Sequence, residues 1–247
     1  LTRERDVLLV EGAIGLSDQG ARKLVAALDA RVVVVSQYRP DLGATDLDRF
    51  QDMFGDRMVG FVINGSTKHR TSDLETNLLP SIKSRGLTTL GVIPEDRRLI
   101  GVTVNWIADR LNGRFLIGEE FADGLVEHFL VGGLGLDSGE LYFGLRKNKA
   151  VIVRGDRPDI QMAALSTPTK CMILTYGIEP IEYVINEAEL ERVPTILVDS
   201  DTLATMSSLS KATHDSPILD HPDKANRLSE LVAENIDLSS IYMGLDA

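Results

Sequence analysis

The sequence is poor in cysteine and in aromatic residues. Its 247 residues include one cysteine, and Phe, Trp and Tyr together make up 5%. A single cysteine excludes an intrachain disulfide framework and a cysteine-rich zinc site. Cys171 lies in an apolar run, which predicts a small core residue rather than a nucleophile. With so few aromatic side chains, the core must consist of Val, Ile, Leu and Ala, which suits buried parallel strands covered by helices.

Long apolar runs and an excess of positive charge are also missing. No stretch approaches the ~20 apolar residues that a membrane-spanning helix needs, and no secretory signal peptide is visible. The formal net charge is −11, and a polyanionic surface repels the phosphate backbone of nucleic acids. We therefore expect a cytoplasmic protein that binds neither nucleic acid nor a membrane.

Short apolar runs that alternate with amphipathic stretches dominate what is present. In the first part of the chain, β-branched runs occur at residues 6–10, 31–36, 58–64 and 88–93, with helical patterns between them. Each run is closed by Gly, Asn, Pro or Ser, which is typical of strands. The pattern predicts a mostly parallel sheet with right-handed helical crossovers.

The alternation is interrupted in the middle of the chain. Residues 94–136 contain short runs spaced by glycine and one helical pattern, and the regular alternation resumes after Gly139. We therefore predict an α/β protein with one domain at residues 1–95 and a second at 96–215. A C-terminal helical segment at 216–247 follows them.

An acidic residue and a glycine follow the first predicted strand. The run Val7-Leu8-Leu9-Val10 leads into Glu11-Gly12. Ligands of parallel sheets bind beyond the carboxyl ends of the strands, so Glu11 is a candidate for holding Mg²⁺ directly or through water. The same pattern also fits a solvated glutamate in an ordinary turn.

Three strand ends of the first domain form a combined pattern. They are Glu11-Gly12-Ala13-Ile14-Gly15, Phe61-Val62-Ile63-Asn64 and Gly91-Val92-Ile93-Pro94. In their order they resemble the dethiobiotin synthetase and cobyrinate diamide synthetase family of P-loop ATPases. The resemblance implies that Glu11 binds the metal and that Asn64 and Pro94 contribute to the site for the nucleotide base. Asn64 has the amide donor and acceptor that an adenine edge requires.

The phosphate-binding loop of that family does not occur in this sequence. A G-x-x-x-x-G-K-[ST] pattern is found nowhere, so phosphates lack an amide-lined cradle and its lysine. Family members carry this loop before the glutamate strand, and a chain that starts at Leu1 favours a fragment. We predict a truncated P-loop-type parallel sheet, with ATP and Mg²⁺ as cofactors only if a P-loop precedes it in a longer protein.

A strand followed by a charged turn is the most distinctive stretch of the second domain. Val151-Ile152-Val153 leads into Arg154-Gly155-Asp156-Arg157-Pro158-Asp159 and then into a predicted helix. Proline suits the first helical turn, an aspartate suits the helix N-terminus, and an arginine there could bind a carboxylate or phosphate. Alternatively, an Asp–Arg pair only fixes the turn. The candidate ligand-binding residues are Gly155, Asp156, Arg157 and Asp159.

Three stretches of this part of the chain resemble the DRTGG-type domain. They are this turn, the helix with Ala163-Ala164 after it, and the later turn at Asp201-Thr202. The chain as a whole resembles the amino-terminal part of long phosphate acetyltransferases, in which a dethiobiotin synthetase-like module precedes a DRTGG-type module. In those enzymes the region precedes the catalytic domain and modulates it. The resemblance therefore implies regulation or assembly rather than acetyl transfer.

Together these features predict a non-catalytic regulatory or ligand-sensing region. We expect it to bind a small anionic metabolite or nucleotide and to form a homo-oligomer, and we assign no catalytic residue. Two alternatives remain open. The chain is a fragment of an ATP-dependent enzyme of the dethiobiotin or cobyrinate synthetase type, or it is an assembly module for an acetyltransferase partner.

Overall fold

The computed structural model describes residues 7–12, 15–133, 139–212 and 221–245. Their contacts form two compact units. Unit 1 contains the described residues up to Glu95 and from Leu228 onward, and unit 2 is Asp96–Arg227. The domain limits expected from the sequence remain predictions, and the limit between residues 215 and 216 lies outside the described residues.

The strands are β1 (Val32–Gln37), β2 (Met58–Ser66), β3 (Thr89–Pro94), β4 (Val102–Thr103), β5 (Arg114–Ile117), β6 (Leu125–Val126), β7 (His128–Gly132), β8 (Lys149–Arg154), β9 (Thr169–Thr175) and β10 (Thr195–Leu197). The helices are α1 (Asp18–Ala27), α2 (Ala44–Phe54), α3 (Thr71–Asp73), α4 (Leu79–Ser84), α5 (Val104–Leu111), α6 (Gly139–Gly144), α7 (Pro158–Leu165), α8 (Glu182–Leu190), α9 (Thr202–Ala212), α10 (Pro222–Asn235) and α11 (Leu238–Leu245).

Unit 1 is built on a parallel sheet with the strand order β1-β2-β3. Its core contains Phe61 and Ile63 of β2, Leu47 of α2 and Ile82 of α4, all of which are buried. The three strands coincide with three of the four β-branched runs of this part of the chain. The expectation of a parallel α/β sheet is therefore confirmed for unit 1.

The prediction of a strand at residues 6–10 is wrong for the residues that are described. Val7–Val10 has no regular secondary structure, and its apolar side chains are exposed, Leu9 to 90%. A β-branched run becomes a strand only where a neighbouring strand and an apolar surface receive it, since β-propensity reflects packing rather than backbone preference. Asp6, Ala13 and Ile14 lie outside the described residues.

Unit 2 is built on a sheet with the order β5-β10-β9-β8-β7. Four of its strands are parallel, and β5 pairs with β10 in the antiparallel direction at one end of the sheet. Strands β4 and β6 form a separate antiparallel pair. The alternation predicted after Gly139 is confirmed by β8, β9 and β10, with a helix after each.

Alternate residues of the central strands of unit 2 pack in two different hydrophobic clusters. Ile152 and Ile173 belong to the cluster that includes side chains of α5 and α9, whereas Val151 and Met172 belong to the one that includes α7 and α8. The period of two follows from the pleat, which directs successive side chains to opposite faces. Unit 2 is therefore a three-layer α/β/α domain with a sheet buried on both faces.

Cys171 lies in the middle of β9 and is completely buried. Burial raises the pKa of its thiol far above the ordinary value, because an apolar surrounding disfavours the thiolate. The prediction that this cysteine serves as a core residue is confirmed. Among the described helices, none has both the length and the apolar composition that crossing a bilayer requires.

Candidate functional site

The carboxyl ends of the parallel strands of unit 2 meet at one edge of the sheet, which we call the carboxyl edge. Arg154, the last residue of β8, lies in register with Thr175, the last residue of β9. The backbone N–H of Tyr176 donates to the carbonyl of Ser200, 3.0 Å away, and that of Gly177 donates to Val198, 2.9 Å away. These hydrogen bonds hold the turns after β9 and β10 together at the edge.

Gly155 permits a close approach of two chain segments at this edge. A Cβ placed on Gly155 would lie 1.7 Å from the carbonyl oxygen of Ile178. No side chain fits in that space, so glycine is required by packing rather than by its own backbone angles. The turn after β8 therefore lies directly against the turn after β9.

A buried amide supports the turn after β8. Gln161 of α7 is fully buried, and its Nε2 donates to the carbonyls of Arg154 and Gly155 at 2.7 and 3.0 Å. Two carbonyl acceptors fix which end of the amide faces the turn. Within the described structure, the Oε1 atom of Gln161 is buried without a hydrogen-bond partner.

Both arginines of the turn are paired with an aspartate two residues further along the chain. Arg154 binds Asp156 through Nε and Nη2 at 2.9 and 2.5 Å, and Arg157 binds Asp159 at 2.9 and 2.8 Å. The hydrogen bond from each arginine lowers the pKa of its aspartate below the usual value. Because all four groups are solvent-accessible, such pairs contribute little to stability.

The four candidates of the second domain thus come together in one turn. As the sequence predicts, α7 begins at Pro158, and Asp159 is an acid in its first turn. The capping position itself is Arg157, whose side chain makes no capping hydrogen bond. The turn-fixing Asp–Arg pairing is present, and an external oxyanion would have to replace an aspartate on the guanidinium group.

Tyr176 is a prominent residue of the edge that the sequence reasoning missed. Its φ is +70°, a left-handed conformation that costs a residue other than glycine about 1–2 kcal/mol. Its side chain is 47% exposed, and the Cζ atom of Arg154 lies 5.0 Å from the centre of its ring. The only available signal was the Tyr176-Gly177 pair directly after a predicted strand, which is typical of a turn.

Hydroxyl groups complete the carboxyl edge where α9 begins. The buried Oγ1 of Thr175 lies 3.2 Å from Oγ1 of Thr202, and Oγ of Ser200 lies 2.8 Å from Oγ1 of Thr205. Asp201 caps the helix by accepting a hydrogen bond of 2.7 Å from the N–H of Ala204. The edge therefore offers an aromatic ring, two guanidinium groups and several hydroxyls.

The first-domain candidates are only partly brought together. Asn64 of β2 lies in register with Ile93, and Ser66 with Pro94, so Asn64 and Pro94 lie on adjacent strands near their carboxyl ends. Asn64 is exposed. The two residues can contribute to one surface, which is what a site for a nucleotide base requires.

Glu11 does not lie at the end of a strand, because Val7–Val10 is not part of the sheet. The reasoning that placed this carboxylate at the sheet edge is therefore wrong. Among the described residues, no group of three or more His, Cys, Asp or Glu side chains is arranged to hold a metal ion. Binding of Mg²⁺ by Glu11 remains a prediction.

Comparison with known proteins identifies the second unit. Residues 106–212 match the DRTGG domain family, and the chain therefore contains a DRTGG domain, as the second-domain resemblance implied. The domain covers most of unit 2, including the whole carboxyl edge. The predicted likeness of the first unit to dethiobiotin synthetases remains a prediction.

One curated relative is a phosphate acetyltransferase of Synechocystis sp. The two sequences are 28% identical over 162 residues, which cover 62% of this chain and 23% of the relative. The chain thus spans less than a quarter of the length of the relative it matches.

A solved structure with some likeness contains the CBS and DRTGG domains of the regulatory region of Clostridium perfringens pyrophosphatase, complexed with its activator diadenosine tetraphosphate. The TM-score is 0.39 at 14% identity, and the superposition covers 73% of this chain and 72% of the other.

Proposed function

We propose that this chain is a non-catalytic regulatory region whose DRTGG domain senses a small anionic metabolite or nucleotide at the carboxyl edge. The observation that carries the proposal is that Arg154, Arg157 and Tyr176 all lie in the two turns that contact each other at this edge. Ligands of parallel α/β sheets bind at this edge of the fold. The guanidinium groups and the tyrosine ring there suit an anionic ligand that also has a planar ring.

The guanidinium groups are already arranged for oxyanion binding. Arg157 presents two N–H donors to the two oxygens of Asp159, and a phosphate or carboxylate offers the same pair of acceptors. Replacing Asp159 by a ligand exchanges one solvent-exposed ion pair for another. The exchange therefore costs little, and its reversibility suits a sensor.

Tyr176 gives the proposed site an aromatic surface. A half-exposed ring at the mouth of a sheet can stack on a nucleotide base or another planar group. Its left-handed backbone is maintained by the hydrogen bond to Ser200, and strained residues of this kind cluster at ligand sites and switches. Because this hydrogen bond joins the turns after β9 and β10, a ligand that contacts the ring would change the conformational equilibrium of both turns.

A ligand at this edge acts as a regulator only if its binding is coupled to another site or to subunit association. The similarity to part of a phosphate acetyltransferase supports an acetyltransferase as the regulated partner. We further propose that the chain forms a homo-oligomer, which would transmit the change. In this proposal the chain binds the regulatory ligand, and the partner catalyses the reaction.

A second candidate function rests on the adjacency of Asn64 and Pro94 on β2 and β3. These residues would contact the base of a nucleotide in unit 1, as in an ATP-dependent synthetase. The exposed position of Glu11 outside the sheet weighs against catalysis by this unit. Binding of ATP that depends on Asn64, and not on Arg157, would favour this second candidate.

Titration calorimetry tests the proposal, with ATP, acetyl-CoA, pyruvate, NADH and diadenosine tetraphosphate as probes. For a probe that binds, Arg157→Gln should weaken binding about tenfold or more, since a charge-assisted hydrogen bond contributes ~1.5–3 kcal/mol. Tyr176→Ala should weaken binding of ring-containing probes only. Arg85→Gln in unit 1, which removes the exposed pair with Asp48, serves as the charge-matched control.

Two results would contradict the proposal. One is the absence of heat with every probe. The other is equal weakening by Arg157→Gln and Arg85→Gln. If Arg157→Gln lowers the unfolding temperature and no probe binds, the Asp–Arg pair only fixes the turn.

A further inference from the structure

A second group of cationic side chains lies at the opposite edge of the unit 2 sheet, where the parallel strands begin. His128 is the first residue of β7 and lies in register with Lys149, the first residue of β8. Arg146 is in the loop before β8, and Arg97 is in the turn before β4. We call Arg97, His128 and Arg146 the amino-edge cluster.

Glu127 connects the segments that carry these cations. Its Oε1 accepts a hydrogen bond of 2.9 Å from Nδ2 of Asn148 and lies 3.8 Å from Nε of Arg98. Its backbone N–H also donates to the carbonyl of Asn148, 2.8 Å away. The side chain of Glu127 is only 16% exposed. One carboxylate next to His128 therefore connects both the loop that carries Arg146 and the turn that carries Arg97.

The turn that carries Arg97 packs tightly against β6. A Cβ placed on Gly101 would lie 3.1 Å from the carbonyl oxygen of Val126 and 3.2 Å from that of Arg98. The N–H of Gly101 donates to the same Arg98 carbonyl at 3.2 Å. Because Val126 is two residues from His128, this packing holds the backbone of Arg97 near the start of β7.

Arg97 and Arg146 differ from the arginines of the carboxyl edge in having no paired carboxylate among the residues that the structure describes. Both are exposed, and neither side chain forms an ion pair or hydrogen bond with any residue in the described part of the chain. Two guanidinium groups without a partner among the described residues therefore lie close enough to one imidazole to act on its charge, on a protein whose net charge is −11. Like charges held together without a counter-ion repel each other, and a bound anion relieves that repulsion.

The titration behaviour of His128 agrees with this arrangement. Its pKa is lowered from the ordinary value first by burial, then by the charges of Arg97 and Arg146, while Glu127 acts in the opposite direction. Lys149, across the strand pair, has its pKa lowered to about 8 by burial. Its ammonium group contacts Thr167 and Pro168 instead of the cluster.

We propose that the amino-edge cluster binds a small phosphate-type dianion between the guanidinium groups of Arg97 and Arg146, with His128 donating to one of its oxygens. The site is separate from the carboxyl edge, since the two lie at opposite ends of the same strands. Unit 2 then has two proposed anion sites, one near each end of the buried strand β8. The second site recognises the phosphate group and not the rest of the ligand.

Binding of inorganic phosphate and pyrophosphate at constant ionic strength tests this site. We expect the double variant Arg97→Gln/Arg146→Gln to bind pyrophosphate about tenfold more weakly or worse, because each charge-assisted contact contributes ~1.5–3 kcal/mol. The control is Arg110→Gln/Arg85→Gln, which makes the same change of net charge at exposed positions elsewhere. Arg157→Gln should leave pyrophosphate binding at the amino edge unchanged.

Proton NMR of the His128 ring provides an independent measurement, with His128→Gln identifying its resonance. Bound pyrophosphate should raise the pKa of His128, so binding should strengthen as the pH falls from about 8 to 6. This pH dependence should disappear in His128→Gln, which leaves Lys149 intact. Arg97→Lys/Arg146→Lys keeps both charges and should bind more tightly than the glutamine double variant, since lysine binds phosphate as a point charge.

Either of two outcomes overturns the proposal: no binding of pyrophosphate at millimolar concentration, or equal loss of binding in the double variant and its control. If the glutamine double variant fails to fold, the two single variants and the lysine variant decide. Unchanged binding in both single variants then also overturns the proposal.

Discussion

The two sheets differ in how completely they are buried, although their strands have similar compositions. In unit 2, Val151 and Ile173 have no exposed surface, and helices cover both faces. In unit 1, β1 contains four consecutive valines, yet Val35 is 63% exposed and Val34 alone of the four is buried. Parallel strands are normally covered on both faces, so the exposed side of β1 is the unusual feature.

The difference shows that position in the sheet, and not composition, decides how completely a β-branched strand is buried. β8 and β9 have a hydrogen-bonded neighbour on each side, whereas β1 pairs only with β2 among the described strands. The apolar segment Val7–Val10 is the extreme case, because it has no partner there at all. An apolar edge that carries no charge is also a place where another strand can pair.

The largest effect is expected from truncating the buried core of unit 2. Ile173→Ala should lower the free energy of unfolding by about 2–5 kcal/mol, since it leaves a cavity in a layer packed on both sides. Val35→Ala in β1 should cost less than about 1 kcal/mol. Chemical denaturation followed by circular dichroism measures both. Similar losses for the two variants would mean that β1 is covered in solution.

Steric overlap at the carboxyl edge should have the next largest effect. Gly155→Ala forces a Cβ against the carbonyl of Ile178 and should cost about 1–3 kcal/mol as overpacking. Gly144→Ala is the matched control, because a Cβ placed there meets no atom within 4 Å. Differential scanning calorimetry should show a lower unfolding temperature for Gly155→Ala only. An unchanged unfolding temperature would show that the two turns are not in contact.

Burial in unit 2 extends to Lys149, which should make the stability of this sheet depend on pH. The pKa of Lys149 is lowered to about 8 by burial, from an ordinary value of 10.5. Between these two values the unfolded chain binds more protons, so stability should rise with pH, by at most about 1.4 kcal/mol per pH unit. Below about pH 7, where the amine is protonated in both states, the contribution should be constant.

Lys149→Met is the reference for this measurement, since it removes the titrating group. Urea unfolding of both proteins from pH 7 to 10 gives the difference between their free energies of unfolding at each pH. A difference that does not change with pH, or that falls as the pH rises, would contradict burial of the amine.

The smallest effects are expected in the exposed apolar segment of unit 1. Leu9→Ser removes a side chain that is 90% exposed and should change the free energy of unfolding by less than about 0.5 kcal/mol. Hydrogen exchange should show weak protection of residues 7–10 and strong protection of β8. Strong protection of residues 7–10 would show that another strand covers them in solution, and the contrast between the units would then disappear.

The strands and helices were predictable where a local pattern agrees with the fold. β1, β2 and β3 follow the β-branched runs of the sequence, and Pro158 marks the start of α7. The alternation of residues between the two faces of β8 and β9 follows from the pleat. The segment at residues 7–10 could not be judged correctly, because its composition is that of a strand and only the missing neighbour decides otherwise.

Only the part of the candidate site that lies within one continuous segment of the chain was predictable from the sequence. Gly155, Asp156, Arg157 and Asp159 share a turn, so their proximity follows from the sequence. Tyr176 takes its left-handed backbone from contacts with the turn after β10, which are distant in sequence. The same reason explains why the amino-edge cluster was not foreseen, since Arg97 and Arg146 approach His128 only in the folded sheet.

The complete burial of Cys171 makes the chain convenient for site-specific labelling. Since the only thiol of this sequence is buried and its pKa is raised, maleimide reagents should leave it untouched in the folded protein. A cysteine introduced at the exposed Ile181, five residues after Tyr176, or at the exposed Lys147, next to Arg146, would then carry a single fluorophore without any prior removal of native thiols. One dye at each edge of the sheet would report separately on the two anion sites.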